Sequence, residues 1–226
     1  MHRYRDGRNK SGHDTQGGDA MIKIWGRSTS LNVQKVLWCC VELGIAFERI
    51  DWAGPFGGND DPAYLAKNPN GRVPTIEDGD KIIWESNSIL RYLCASYGGA
   101  HLHPAEPYRR SEVERWMDWQ LASLNPPMTT MLLGYYRTPE DKRDPLALEA
   151  ARKEALRCWT IVEKFIAGRK FLAGPDLTLA DIGNGILAHR WHNYPIERPA
   201  LPNIKAWYQT LSERPGFRAH ILGPIA

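Results

Sequence analysis

The sequence predicts an α/β unit followed by an all-helical one, an α/β plus all-α chain. Short alternating runs that suit strands are confined to residues 22–84, one strongly helical period lies among them, and from residue 106 onward every periodic stretch has helical spacing.

Taken in order, residues 1–20 (MHRYRDGRNKSGHDTQGGDA) lack an apolar h-region and carry Asp6, Asp14 and Asp19 among the basic residues, which fits neither a secretory nor an organellar signal. Almost nothing in them could bury a core, so a flexible extension is expected, with the working protein starting near Met21. IKIW at 22–25 alternates like a strand. NVQKVLWCCVELG then places Val33, Val36, Leu37, Cys40 and Val41 at helical spacing before Gly44 stops the helix. AFERID at 46–51 is a second strand, and strand, helix, strand is long enough for a right-handed parallel crossover. After a Gly- and Asp-rich loop, residues 75–77 and 81–84 form a hairpin across Asp78-Gly79. Ser86 can cap a helix that buries Ile89, Leu90 and Leu93.

Beyond residue 106, Val113, Trp116, Met117, Leu121 and Leu124 define one helical face, and Ala151, Ala155, Trp159, Val162 and Ile166 another. Pro126-Pro127 predicts a helix break. In LAGPDLTLADI, Thr178 stands three residues ahead of Asp181, the spacing of an N-terminal capping box.

Composition narrows the function classes. With 42% hydrophobic and 24% charged residues, the 226-residue chain reads as soluble and globular, of one large or two smaller domains. A net charge of +3 with the two signs interspersed leaves no nucleic-acid footprint. No apolar run approaches the ~20 residues of a membrane span. Cys39, Cys40, Cys94 and Cys158 form no C-x-x-C motif and read as reduced, mostly buried thiols of a cytosolic protein; no metal-ligand spacing occurs.

Three short stretches could carry chemistry. Val73-Pro74 stands directly before a strand; a proline has no N–H for a ladder, so the backbone there is either a free edge for a ligand or a rigid turn. Glu85-Ser86 lies where a helix N-terminus favours an anion, yet serine there also simply caps. Ser28, Thr29, Ser30 and Asn32 cluster at another helix start, where a hydroxyl could donate to a thiolate or again cap.

In this order and with these residues, the chain resembles the cytosolic glutathione transferases, in their serine-type, theta- and nu-like bacterial branch. The resemblance covers about residues 21–222 and rests on the β-α-β, β-β-α order with its strand-leading proline and on the distant Thr178-Asp181 box. It implies a thioredoxin-like glutathione-binding domain over 21–100 and an all-α domain over 101–226 that forms the electrophile pocket. It also implies a cis Pro74, so that Val73 pairs with the cysteinyl unit of glutathione as an added strand would. Glu85 and Ser86 would hold the γ-glutamyl end, with Arg72 reaching the ligand. Aligning Val36 puts Ser30 at the catalytic position, with Ser28 or Thr29 replacing it if the register slips, and Asn32 assisting. Trp116, Trp119, Met131 and Tyr135 would face the electrophile, although aromatics and methionine at helical spacing equally suit an ordinary core.

The implied protein is a cytoplasmic homodimer of the detoxification type that conjugates the glutathione thiolate to small hydrophobic electrophiles. Glutathione is its co-substrate, without metal, membrane or nucleic acid. A glutathione-dependent disulfide reductase or peroxidase, and a non-catalytic glutathione-binding module on the same fold, are the alternatives.

Overall fold

A computed structural model describes residues 21–225; the expected extension at 1–20 lies outside the described residues. Strand β1 (Ile22–Trp25) leads to helix α1 (Leu31–Leu43) and strand β2 (Phe47–Ile50), which pairs parallel to β1. A short helix α2 (Pro62–Leu65) precedes the hairpin of β3 (Thr75–Asp78) and β4 (Lys81–Trp84), and α3 (Ser86–Ser96) follows. The sheet order is β2-β1-β3-β4, with β3 antiparallel to both neighbours. Gly44 ends α1 in the left-handed conformation, φ 66°, as a C-terminal glycine should.

The helical half runs α4 (Pro107–Trp119), α5 (Asn125–Tyr136), α6 (Pro145–Ile166), α7 (Leu179–Asn193), α8 (Pro202–Ser212) and α9 (Pro215–His220). Pro126-Pro127 does not break the chain's helical course. Instead a π-helical stretch, Gln120–Leu124, joins α4 directly to α5, and the Asn125 N–H reaches back to the Gln120 carbonyl. The prolines fall in the first turn of α5, where no intrahelical N–H bond is required of them. The Ser123 carbonyl, four residues before Pro127, accepts from the Cys158 thiol on α6 at 3.7 Å. Leu121, expected in the core, is exposed on this stretch because the wider turn rotates it off the buried face.

Sequence periodicity makes α1 amphipathic, but the structure covers it on every side. Val33, Val36, Leu37 and Cys40 are buried as expected, and so are Gln34, Lys35 and Trp38. The reason is that α7 and α9 dock on the face turned away from the sheet. Trp38 meets Phe217 of α9 edge-on with ring centroids 5.0 Å apart, and its indole N–H donates to Glu42 at 2.8 Å. A Cβ at Gly216 would lie 2.4 Å from the Trp38 ring, so glycine is what allows this approach. Gln34 donates to the His220 carbonyl at 3.0 Å, and Arg214 pairs with Glu42. The buried apolar residues of both halves thus form one continuous core.

Candidate functional site

A cleft of about 870 Å³ lies between one end of the sheet half and helices α5 and α7. Ser30, Asn32, Arg72, Val73, Glu85 and Ser86, drawn from three separate stretches of sequence, all line it, as does Pro74. Ser28 does not; it faces an adjoining recess of about 410 Å³ with Arg27, Phe56 and Arg137.

Local chemistry explains how each part is held. After β1, Gly26 takes φ 148°, and a Cβ there would collide with Val33 at 2.4 Å, so the chain can turn tightly onto α1 only through glycine. Ser30 is the N-cap residue of α1: its carbonyl accepts the Gln34 N–H at 2.8 Å, while its hydroxyl makes no capping bond. The capping reading of Ser30 therefore leaves its side chain unused. Asn32 accepts a hydrogen bond from the Ser86 hydroxyl at 3.3 Å, tying the starts of α1 and α3 together across the cleft.

The Val73-Pro74 bond is cis. The segment before it is pinned by a buried polar network in which the Tyr64 hydroxyl and the Asn68 amide each donate to the Arg72 carbonyl at 2.7 Å. The same two side chains meet the Thr75 hydroxyl at 2.9 and 3.0 Å. Burial pushes the Tyr64 phenol's pKa up, so it remains a neutral donor. Val73 therefore sits on a rigid ledge just ahead of the β3 ladder, which starts at Thr75.

At β4's end, Glu85 rather than Ser86 occupies the N-cap position of α3, and Ser86 is the first helical residue. Glu85 has φ 69° and ψ 113°, an unfavourable backbone for a side chain with a Cβ, of order 1–3 kcal/mol. Glu85 and Ser86 both line the cleft, at a helix start whose first N–H groups have no intrahelical partners.

Sequence reasoning overlooked Lys35. It lies wholly buried on α1, donating to Gln120 at 2.9 Å and to Asn87 at 3.5 Å. Asn87 in turn donates to the Met117 carbonyl at 3.4 Å, so this network joins α1 and α3 to the helical half. Burial drives the Lys35 pKa down from 10.5 to about 7, with Glu85 opposing and Arg190 assisting. A folded-state pKa below the unfolded value makes this group's contribution to stability complete above 10.5 and lost as the pH falls through about 7. Lys35→Met should therefore gain stability relative to the unsubstituted protein as pH falls across that window, measured by denaturant unfolding. A constant difference between the two proteins would refute the burial argument.

The helical wall departs from expectation. Trp116, Trp119, Met131 and Tyr135 are not among the residues that line the cleft. Trp116 packs inward between Trp119 and Phe165, with ring centroids 5.2 and 4.9 Å away, and Met131 is fully buried in the core. Tyr135 lies tilted against Tyr194, ring centroids 6.5 Å apart, with Arg143 over its own ring. The cleft is faced instead by Asn125, Thr129, Leu132 and Leu133 of α5, by Arg137, and by Arg190 of α7. This wall is more polar than a hydrophobic electrophile pocket would be. Arg190 is buried and donates to the Thr29 carbonyl at 3.2 Å, which fixes the loop carrying Ser30. Among the described residues, no group of three or more His, Cys, Asp or Glu side chains could hold a metal, and no helix is long and apolar enough to cross a membrane.

Fold and cleft together define a thioredoxin-like protein with an appended helical domain that walls one side of its cleft. Residues 25–101 match the family model of the glutathione S-transferase N-terminal domain, and residues 124–215 that of the glutathione S-transferase C-terminal domain. Glutathione S-transferase GstB of Escherichia coli (strain K12) is 38% identical over 208 residues, which is 91% of this chain and 100% of that protein. Glutathione S-transferase 3 of Zea mays is 29% identical over 88% of this chain and 92% of its own. The crystal structure of the theta class glutathione S-transferase from Xanthomonas axonopodis pv. citri with glutathione bound superposes with a TM-score of 0.87 at 41% identity, covering 91% of this chain and 99% of that one. The chain belongs to the glutathione S-transferase family.

Proposed function

We propose that the protein binds glutathione along Val73, Arg72, Glu85 and Ser86, ionises its thiol beside Ser30, and transfers the sulfur to a small electrophile held against α5 and α7. The observation that carries this reading is the convergence of a peptide-pairing edge, a helix N-terminus and an uncommitted serine hydroxyl on one cleft. Residues 21–100 then supply the glutathione site and residues 101–226 the electrophile wall. Family membership supports a cytoplasmic homodimer with a detoxifying role. The test is turnover of a generic aryl halide with glutathione, followed by epoxides, isothiocyanates, haloalkanes and mixed disulfides; acceleration of none of them would refute the transferase reading.

A disulfide-reductase reading loses its nucleophile. Cys39 and Cys40 are fully buried, and burial pushes the Cys40 thiol up to about 12, so neither offers a thiolate to a disulfide. Within the transferase reading, Ser86→Ala and Glu85→Gln should each weaken glutathione binding about tenfold, the scale of one charge-assisted contact at ~1.5–3 kcal/mol. Calorimetric titration checks this, and unchanged affinity in both would remove the site from this end of the cleft.

A further inference from the structure

Lys35 follows Asn32 by one helical turn on α1, so the two share a face of that helix. They hold consecutive residues of α3: Asn32 accepts from the Ser86 hydroxyl at 3.3 Å, and Lys35 donates to the Asn87 side-chain oxygen at 3.5 Å. Helix α1 thus grips the start of α3 twice, directly after Glu85, whose φ of 69° persists only where its surroundings hold it. Asn87 carries the grip onward by donating to the Met117 carbonyl at 3.4 Å. The shorter bond of Lys35 goes to the Gln120 side-chain oxygen at 2.9 Å, while the Gln120 amide nitrogen is buried with no partner. Both amides therefore turn oxygen to Lys35, the orientation an ammonium requires. A fully buried ammonium met by neutral amides is a costly feature, and such groups gather at functional sites. The charged groups that act on it are Glu85, at the N-cap of α3, and Arg190 of α7. From α4 and the π-helical stretch come the Met117 carbonyl and Gln120, which carry no charge.

We propose that Lys35 is a positioning residue of the glutathione site: its ammonium fixes the strained Glu85-Ser86 step through Asn87, so that the tripeptide binds best while this buried amine is protonated. This rests on the glutathione reading above. Loss of the proton replaces an ionic donor by a weaker neutral one and removes the positive charge behind Glu85. The ligand has two carboxylates and one amine, so as a net anion it also gains from positive charge behind α3.

The test is calorimetric titration of S-methylglutathione, which has no thiol to ionise, between about pH 6 and 8, the interval that brackets Lys35. Burial sets the Lys35 pKa to about 7, and among the described residues no histidine or cysteine lines the cleft. The proteins compared are the unsubstituted one, Lys35→Met, Asn87→Ala and the double variant. At the acid end Lys35→Met should bind about tenfold more weakly, the scale of one charge-assisted contact, and the double variant little more weakly than either single one. Toward the alkaline end the affinity of the unsubstituted protein should fall to that of Lys35→Met, whose own profile is flat. In aryl halide turnover the loss should appear in the KM for glutathione, with kcat kept within about threefold. Equal affinities at the acid end, a difference that does not change with pH, or additive losses in the double variant would overturn the proposal. Should Lys35→Met fail to fold, a flat profile in the unsubstituted protein would overturn it. Failure of the glutathione reading is seen separately, as no binding to the unsubstituted protein at any pH, and would take this role with it.

Discussion

Ser30→Ala is expected to lower kcat/KM about 10²-fold, the lower end of what losing one donor to an anion in a water-poor site costs. Glutathione affinity should stay within about threefold, because in the proposed binding mode the peptide is held by Val73, Glu85 and Ser86 rather than at the sulfur. Thiol ionisation alone cannot supply the rate. A thiol near pKa 8.5 is about 3% ionised at pH 7, and lowering it to ~6.5 gives roughly 75%. The less basic sulfur is about eightfold less nucleophilic at a Brønsted slope of ~0.45, leaving a net gain of about threefold. The remaining effect must come from orientation of the sulfur, which effective molarity can make large. Stopped-flow rates with an excess of electrophile, with thiolate absorbance of the glutathione complex in parallel, check both parts. Retained rate and thiolate in Ser30→Ala, with both lost in Ser28→Ala or Asn32→Ala, would move the donor to those residues; Ser28's place in the side recess argues against it.

Asp181→Ala should be the most destabilising single change considered, on the order of 3–5 kcal/mol. The capping spacing in the sequence accounts for only part of this. The fully buried carboxylate accepts the Thr178 N–H at 3.0 Å and hydroxyl at 3.1 Å, the Leu172 N–H at 2.8 Å and the Trp207 indole N–H at 3.0 Å. It thus fastens the start of α7, the preceding loop and α8 to one point, and alanine strands every donor at once. For a chain of this size a loss of that kind corresponds to a melting temperature lower by about 10 °C. Burial raises the Asp181 pKa from 3.8 to about 6 against those four donors. A raised folded-state pKa makes this contribution complete below the unfolded value and lost as pH rises through about 6, so the advantage over Asp181→Asn should narrow across that interval. A melting temperature equal to that of the unsubstituted protein would refute the role of the knot.

The sheet half was legible because its signals are local. Alternation located β1, Asp78-Gly79 the hairpin and Gly44 the end of α1, and the residues that line the peptide side of the cleft lie within a few positions of a strand end or helix start. The helical wall was not legible, because an aromatic or methionine at helical spacing reads the same whether it faces core or ligand. Trp116 and Met131 went to the core, and Thr129, Leu132 and Arg137, with no signature of their own, went to the cleft. Arg190 lies 161 positions from Thr29, a pairing that only the assembled fold creates. Lys35 was hidden for a related reason. A lysine beside Gln34 reads as the wet stripe of an amphipathic helix until α7 and α9 are packed over it.

The enclosure of α1 sets a limit on modularity. The order of strands and helices invites a cut near residue 100, and by secondary structure the two pieces look self-sufficient. By contact they are not, since α1 belongs equally to the sheet and to the helices that close over Lys35 and Trp38. Separating the halves would bare a tryptophan and an amine in the middle of a helix and leave Phe217 and Gln120 facing water or nothing. The chain is two units as a pattern of elements and one unit as a piece of matter, so neither half could be exchanged for that of a relative without redesigning the surface of this one helix.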